Sequence, residues 1–363
     1  MRFILFIFLL ISVYSWSQAD LKTSLISVLD KEWEKNQFSG VLLVAHHGKP
    51  IAWHATGYRN FEQKIKLKKT DLFELASVSK QFTSMMIMKL ESEGRIRYED
   101  TLGKYIPGLP YYGITIRHLL THTSGLPDYQ AIMDAYWDKS KIAGNADAIE
   151  YLKRYPQVFH FRPGESYQYS NTGYLLLASI VEKVTGQDFI ELVNQWIFKP
   201  LRMKDAGFRT PQSRNEIKNF ARGHIYETET KQYTDADSFP SSNYTIWLGH
   251  RKGPGRISAS AKDLLKWDQA LYTDKIINPA SLKHAFTPYS LTNGKISNYG
   301  FGWVINPAAG LGLLVHHSGD NPGYRTHIMR YVDKGFTVIL LNNNSNVRME
   351  AILGQVESIL MKQ

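Results

Sequence analysis

Strand-like segments lie at both ends of the chain and enclose a long, mostly helical stretch. Near the start, FSGVLLVAHHGKPIAWHATGY (38–58) is typical of two strands joined by a turn at His47-Gly48-Lys49-Pro50. Beyond residue 295, four short β-rich segments follow one another with Gly or Asn between them, and a helix follows them. From about residue 94 to about 285 most segments are helical or loop-like.

This order predicts one antiparallel sheet assembled from both chain ends. We expect an α+β fold, an α/β sandwich in which terminal helices flank the sheet and a mainly helical domain is inserted. The sheet part is predicted to cover about 18–75 and 286–363, and the helical part about 76–285. In one predicted helix, Ser260 followed by Asp263 indicates a variant of the capping box.

The first residues, MRFILFIFLLISVYSWSQAD, are typical of a secretory signal. Arg2 precedes an apolar run over 3–13, which is shorter than the ~20 residues that span a bilayer. We expect cleavage after Ser17, a mature domain over 18–363, and an exported protein that is periplasmic or secreted. The alternative is an N-terminal anchor, so any membrane contact is expected only through the uncleaved segment.

Composition argues against several classes of protein. The chain has no cysteine, which excludes disulfides and thiolate metal sites. Its net charge is +10, and the densest basic cluster, EQKIKLKK (62–69), alternates with apolar residues like a solvated strand or loop. No basic and aromatic pattern of a nucleic-acid module occurs, so we expect no nucleic-acid partner. The charge instead favours anionic cell-envelope surfaces or carboxylate substrates.

Ser77 and Lys80 stand three positions apart where an apolar helix begins, so their side chains share one helix face. Serine is a poor nucleophile until a neighbouring base takes its proton. Lysine can be that base only if its pKa falls well below ~10.4. The helix N-terminus disfavours an ammonium, and its free N–H groups can bind a developing oxyanion. The spacing therefore suits a nucleophile beside its base.

Two further segments carry groups suited to the same chemistry. In PGESYQYSNTGY, Tyr169 can pass a proton from the serine to a leaving group, and Asn171 can orient Lys80 and bind a substrate carbonyl. Later a strand ends in His317-Ser318-Gly319, where the glycine permits close approach of a ligand to the backbone. For the adjacent His316 and His317, strand alternation alone would bury one ring and expose the other. No His-Glu-x-x-His occurs, and we expect no metal.

Ser-x-x-Lys, Tyr-x-Asn and His-Ser-Gly in this order resemble the serine β-lactamase-like family of penicillin-binding proteins and related hydrolases. ELASVSKQFT, HLLTHTSGLPDY and HHSGDNPGY are similar to class C β-lactamases and D-alanyl-D-alanine carboxypeptidases, and the resemblance covers about 36–345. It implies the same sheet and helical architecture, with the active site between the two parts. The resemblance implies that Ser77 is the acylated nucleophile and that Lys80 and Tyr169 share the base and acid roles. It implies that Asn171 positions Lys80 and the substrate and that His317 faces the cleft. It also implies an oxyanion hole formed by the backbone N–H groups of Ser77 and Asp320.

The third motif departs from class C β-lactamases, which carry Lys-Thr-Gly there. A neutral imidazole anchors a carboxylate less firmly than an ammonium. The pattern is therefore more similar to D-Ala peptidases, D-amino-acid amidases and family esterases, and efficient β-lactam hydrolysis is not expected. Arg325 is either a substitute carboxylate anchor or a solvated strand residue. We interpret Ser124 in HTSGLP as a turn residue rather than a second nucleophile.

The sequence thus predicts an exported serine hydrolase that forms an acyl-enzyme at Ser77. Its expected substrates are D-amino-acid peptides, amides or esters, as in a DD-peptidase, and no metal or organic cofactor is needed. The expected partner is a small-molecule or peptide substrate, derived from the cell wall in the peptidase interpretation. The alternatives are an esterase of small esters, a weak β-lactamase, or a non-catalytic penicillin-binding sensor. The oligomeric state, and the choice of Lys80 or Tyr169 as the base, stay open.

Overall fold

The computed structural model describes residues 19–35 and 38–363. The expected signal segment, residues 1–17, lies outside these described residues. Within the described ranges no helix is both long and apolar enough to cross a membrane.

Strands occur near both chain ends and, as short pairs, between them. In chain order they are β1 (Gly40–His46), β2 (Lys49–Thr56), β3 (Tyr58–Asn60), β4 (Ile65–Lys66), β5 (Phe73–Glu74), β6 (Gly207–Phe208), β7 (His224–Glu227), β8 (Gln232–Asp235), β9 (Ile257–Ala259), β10 (Tyr289–Ser290), β11 (Ile296–Ser297), β12 (Val304–Ala308), β13 (Gly312–Asn321), β14 (Tyr324–Tyr331) and β15 (Phe336–Asn342).

Helices flank the strands at both ends and fill most of the middle. They are α1 (19–34), α2 (Lys80–Ser92), α3 (Leu102–Tyr105), α4 (Ile116–Leu120), α5 (Tyr129–Tyr136), α6 (Asn145–Arg154), α7 (Asn171–Thr185), α8 (Phe189–Val193), α9 (Pro211–Asn215), α10 (Tyr244–Trp247), α11 (Ala261–Ala270), α12 (Pro279–Leu282) and α13 (Met349–Leu360). Single 3₁₀ turns occupy Ala76–Ser79, Ala236–Ser238, Pro240–Ser242 and Lys283–Phe286, and a π turn occupies Asn194–Phe198.

The main sheet joins the two ends of the chain, as predicted. Its order is β12-β13-β14-β15-β1-β2, and β1 pairs antiparallel with β15 from Gly40↔Asn342 to His46↔Phe336. The turn between β1 and β2 is shorter than the predicted four residues. His47 and Gly48, at φ 47° and 74°, complete it as a two-residue hairpin turn, so Pro50 already lies in β2.

Both faces of the sheet are covered. Because successive side chains of a strand point to opposite faces, Leu42 packs in a cluster with Leu25 of α1 and Ile352 of α13. Leu43 points the other way and packs in the larger core with the helical middle. The predicted sandwich of helices around an antiparallel sheet is therefore confirmed.

The middle of the chain is less purely helical than predicted. A small sheet of order β5-β9-β6 and a hairpin of β7 and β8 lie within it. The hairpin strands, HIYE and QYTD, have four residues each and are largely polar. Such short polar strands lack the hydrophobic periodicity on which a sequence-based assignment depends.

The predicted capping box at Ser260 is wrong in one half. The Ser260 hydroxyl accepts the N–H of Asp263, as a cap should. The Asp263 carboxylate, however, accepts the N–H groups of Asp205 and Ala206, at 2.8 and 3.1 Å, and pairs with Lys266. The carboxylate therefore links α11 to the segment at Asp205 and Ala206 instead of accepting the N–H of Ser260 at the start of its own helix.

Candidate active site

Ser77 lies in the 3₁₀ turn that leads directly into α2. Ala76, the residue before it, has φ 47°, a left-handed conformation that an alanine adopts only under constraint from its surroundings. Lys80 begins α2 one turn later, and its Nζ lies 3.0 Å from the Ser77 hydroxyl oxygen. The turn thus brings together the serine and the lysine that the sequence predicted to face each other.

Lys80 is fully buried, and the partners of its amine are neutral. Its Nζ donates to Asn171 Oδ1 at 2.8 Å and to the Pro254 carbonyl at 3.0 Å, besides the contact with Ser77. Burial, reinforced by the positive charge of Arg251, lowers the pKa of Lys80 well below its usual value. A neutral amine has two N–H donors and one lone pair, so the two carbonyl oxygens take the donors and the lone pair is left to accept the serine proton.

Tyr169 stands on the other side of the pair. Lys80 Nζ lies 4.6 Å from the centre of its ring, and its hydroxyl interacts with Ser77. The residue is 40% exposed, yet desolvation of the hydroxyl raises the pKa of Tyr169 above its usual value. The phenol therefore stays protonated at neutral pH and is a donor rather than a base.

Asn171 is held by the start of α7. Ser170 caps this helix by accepting the N–H of Gly173 at 3.2 Å, and Asn171 is the first helical residue. The amide oxygen that accepts from Lys80 is therefore fixed by a capped helix end.

The third motif lies on β13, where burial alternates. His317 and Gly319 are buried, and Ser318 and Asp320 are exposed. The His317 Nε2 lies 2.9 Å from the Tyr299 hydroxyl, and burial together with the charge of Lys80 lowers the pKa of His317 to about 3. The imidazole is therefore neutral, and it packs behind Tyr299 rather than lining the cavity at Ser77.

Gly319 is needed for packing within the chain. A Cβ at this position would stand 2.1 Å from the Leu75 carbonyl oxygen and 2.4 Å from Thr326 Oγ1. The close approach predicted for a ligand is therefore made by the segment that precedes Ser77. It brings β13 against the nucleophile turn.

A polar cavity of about 80 Å³ opens beside Ser77. Ser77 and Asp320, the residues expected to supply the oxyanion donors, both line it. Its walls are Ala76, Ser77, Gln130, Asn171, Tyr244, Arg251, Pro254, Gly255, Asp320 and Asn321. Four residues of the wall lie outside the three motifs and carry no spacing signal of their own, so they could not be predicted: Gln130, Tyr244, Arg251 and Asn321.

Arg251 is the one cation in the wall of this cavity, and it is only 7% exposed. Its guanidinium donates to Asn321 Oδ1 at 3.4 Å, its Nε has no partner, and no carboxylate of the described residues forms an ion pair with it. Neighbouring Glu74 already pairs with Arg214 and Arg256. Burial alone would raise the pKa of Glu74, but the three arginines lower it.

A buried histidine supports Tyr169 from behind. His122, at φ 58°, accepts the N–H of Ser170 on its Nδ1 at 3.0 Å, and its ring centre lies 4.3 Å from that of Tyr169. The HTSGLP segment that contains His122 is therefore part of the site's support. Within it, Ser124 accepts the N–H of Leu126 at 3.4 Å, as expected for a turn residue.

Two side predictions on the sheet need correction. Arg325 is neither free nor fully solvated, because it pairs with Asp320 at 3.1 Å. Of the adjacent histidines, one ring is buried as alternation predicts, that of His317, but the other is not exposed: His316 is half-buried, because its ring is hydrogen-bonded between Asn306 and His327. Among the described residues no group of three potential ligands could hold a metal ion.

Comparisons with known proteins agree with this arrangement. The model of the family described as Beta-lactamase matches residues 25–355. Penicillin-binding protein 4* of Bacillus subtilis is 41% identical over 91% of this chain and 74% of its own length. Protein flp of Staphylococcus aureus is 28% identical over 89% of this chain, which spans 63% of that relative.

Solved structures share the fold. The octameric penicillin-binding protein homologue from Pyrococcus abyssi has a TM-score of 0.78 and 26% identity, over 95% of this chain and 77% of its own. A D-amino acid amidase from Ochrobactrum anthropi has a TM-score of 0.77 and 21% identity, over 94% and 99% of the two chains.

Proposed function

Since the chain belongs to the Beta-lactamase family, we propose that it is an exported serine hydrolase that forms an acyl-enzyme at Ser77 and acts on D-amino-acid peptides or amides. The observation that carries the proposal is the contact between the Ser77 hydroxyl and a buried Lys80 amine whose other partners are two carbonyl oxygens.

The proposed first step is attack of the Ser77 oxygen on the substrate carbonyl carbon. Lys80 takes the hydroxyl proton, because its Nζ lies 3.0 Å from the Ser77 oxygen and its pKa is lowered. Tyr169, kept protonated by its raised pKa, donates its proton to the leaving group. The proton held on Lys80 then passes to Tyr169 and restores its hydroxyl. Backbone N–H groups of Ser77 and Asp320 stabilise the oxyanion. Water then attacks the carbonyl carbon of the acyl-enzyme with proton transfer through the same groups, and the acid is released as the Ser77 hydroxyl is restored.

A carboxylate on the leaving side of the substrate fits the charge of the cavity. Of three buried arginines, Arg214 and Arg256 pair with the two carboxylates Glu74 and Asp237, and among the described residues Arg251 has no ion pair. Arg251 is the one that faces the cavity without an ion pair. The free carboxylate of a terminal D-amino acid would supply the missing anion, and a guanidinium can bind such a carboxylate through two parallel hydrogen bonds. This favours peptidase action, and the 41% identical relative is itself named a penicillin-binding protein.

An esterase acting on small esters is the second candidate. The neutral His317 supports it, because no ammonium stands at the third motif to demand an anionic substrate. The two candidates share the acyl-enzyme and differ in whether the substrate needs a carboxylate.

Intact-protein mass spectrometry tests the proposal. The full chain is incubated with a penicillin, with a fluorophosphonate and with p-nitrophenyl esters. We expect one covalent adduct per chain that is lost in Ser77→Ala and kept in Ser124→Ala, the matched change of a turn serine. A penicilloyl adduct supports the peptidase, whereas fluorophosphonate labelling with ester turnover alone supports the esterase. Turnover retained in Ser77→Ala would refute the nucleophile, and the absence of an adduct with every probe would contradict an acyl-enzyme at Ser77.

A further inference from the structure

A groove of about 840 Å³ lies on the helical side of the sheet edge formed by β2. Its apolar lining includes Pro50, Trp53, Leu201 and Leu265, and the fully buried Leu43 lies beneath them. Such a volume is far larger than a single small anion requires and lies in the range of small-molecule sites.

The groove lies at the far end of the sheet from Ser77. Across the strands, Asp320 aligns with Arg325, Asn342 and Gly40 in turn, at one end of β1. Gly48, which lines the groove, follows the opposite end of β1. A strand of seven residues spans about 20 Å, so the groove is separate from the polar cavity.

Every charged residue that lines the groove is basic. Arg202, Lys262, Lys266 and Lys275 form its rim, and no Asp or Glu contributes to the lining. Lys266 pairs with Asp263, whereas none of the other three has an ion pair within the described residues. The rim therefore carries positive charge that the described protein does not balance.

Trp53 supplies an independent observation. Its indole Nε1 is buried and has no hydrogen-bond acceptor. An indole N–H is a donor only, and a buried donor without a partner is costly. Lys69, from the basic cluster 62–69, lies over the same ring with its Nζ 5.6 Å from the centroid. A donor without an acceptor and a cation thus converge on one side chain of the apolar lining.

We propose that this groove binds a free single-chain anionic amphiphile, a long-chain carboxylate or phosphate monoester. Its apolar chain lies along Trp53, Leu201 and Leu265, and its head group meets the cations of the rim. Charge complementarity selects an anion, and the apolar lining selects a chain over a polyanion or an inorganic ion. The proposal does not depend on the reaction at Ser77.

Binding of dodecanoate below its critical micelle concentration tests the site by isothermal titration calorimetry on the full chain. We expect saturable binding of one dodecanoate per chain, with no saturable binding of butyrate or dodecanol. The double charge reversal Lys262→Glu/Lys275→Glu should weaken binding at least tenfold. The matched reversal of two exposed lysines outside the groove, Lys218→Glu/Lys283→Glu, should leave it within twofold. Trp53→Phe, which keeps the ring and removes the N–H, should weaken it several-fold.

Unchanged circular dichroism and ester hydrolysis show that the variants are folded. Equal binding by the groove variant and its matched control would overturn the location, and absence of saturable binding would overturn the site. Competition between dodecanoate and the ester substrate would place the ligand in the catalytic cavity instead. Binding to phosphatidylglycerol vesicles without binding of monomeric dodecanoate would show a membrane-facing surface and overturn the proposal for a free amphiphile.

Discussion

Burial and the charge of Arg251 lower the pKa of Lys80 and so favour the neutral amine, the form that can accept a proton. Its surroundings offer two fixed carbonyl acceptors and a hydroxyl, but no carboxylate that would favour the ammonium. For Tyr169, in contrast, desolvation raises the pKa and favours the protonated phenol. On this basis we propose that Lys80 is the base and Tyr169 the acid, two roles that the sequence left shared between them.

The pH dependence of acylation should follow Lys80. We expect kcat/KM for a neutral p-nitrophenyl ester to rise with pH through the lowered pKa of Lys80, since only the neutral amine can take the Ser77 proton. Arg251→Gln removes a charge that lowers this pKa, so the rising limb should move to higher pH. Steady-state rates between pH 5 and 10 measure the rising limb in the wild-type protein and in Arg251→Gln. Arg95→Gln, at the surface, is the control, and a limb that does not move in Arg251→Gln would contradict the assignment of the base.

Substrate charge should be sensed at Arg251. Arg251→Gln is expected to raise KM about 10- to 100-fold for a D-alanyl peptide with a free terminal carboxylate, because a charged hydrogen bond is worth about 1.5–3 kcal/mol. The methyl ester of the same peptide has no such anion, so its KM should change little. Kinetics on the matched pair of substrates measure the difference, and an equal effect on both would assign Arg251 a structural role.

At the scale of elements, α7 has two defined ends that position Asn171. Ser170 caps its start, and Gly186, at φ 71°, ends it in the left-handed conformation. A Cβ at Gly186 would meet nothing within 4 Å, so any penalty there arises from the backbone conformation alone.

Gly186→Ala should therefore lower the free energy of unfolding by about 1 kcal/mol. Gly354→Ala is the matched change, in an exposed and uncrowded position of α13, and should raise it by about 0.5–1 kcal/mol because alanine favours the helix interior. Urea denaturation of the two variants measures the opposite signs. The same sign in both would contradict the assignment of the penalty to the left-handed conformation of Gly186.

Residues within one element were predictable, and residues brought in from distant segments were not. The start and end of α7 follow from Ser170 and Gly186, and the contact of Ser77 with Lys80 follows from helical spacing. Arg251 reaches the cavity only because the chain returns there through a loop, and no local pattern carries that information. Asp263 looked like half of a capping box because its partners, Asp205 and Ala206, are remote in sequence.

For the whole molecule, buried histidines should make stability depend on pH. Burial lowers the pKa of His224 and His316 to about 4 and that of His317 and His327 to about 3. Between these values and 6.5 the unfolded chain binds more protons than the folded one. The free energy of unfolding should therefore fall as pH decreases through this window, with one unit of pKa shift worth about 1.4 kcal/mol.

Thermal unfolding between pH 7 and 4 measures the effect, and the midpoint should drop progressively below pH 6.5. His327→Gln keeps an acceptor for His316 and removes one titrating ring, so it should flatten the dependence. His250→Gln, at an exposed position, should not. Asp71 and Asp128, whose pKa values burial raises, act in the opposite direction at the acid end. A midpoint independent of pH in this range would contradict the prediction.

The pairing of β1 with β15 also determines when, during synthesis of the chain, the active site can be completed. Part of the polar cavity's lining comes from residues 76 and 77, and another part from Asp320 and Asn321. During synthesis the first part is made long before the second, and contacts across such sequence separations form slowly. A nascent chain that lacks β13 to β15 holds its serine and lysine without the rest of the cavity. Hydrolysis can therefore start only after nearly the entire polypeptide has been made and its first strand has met its last.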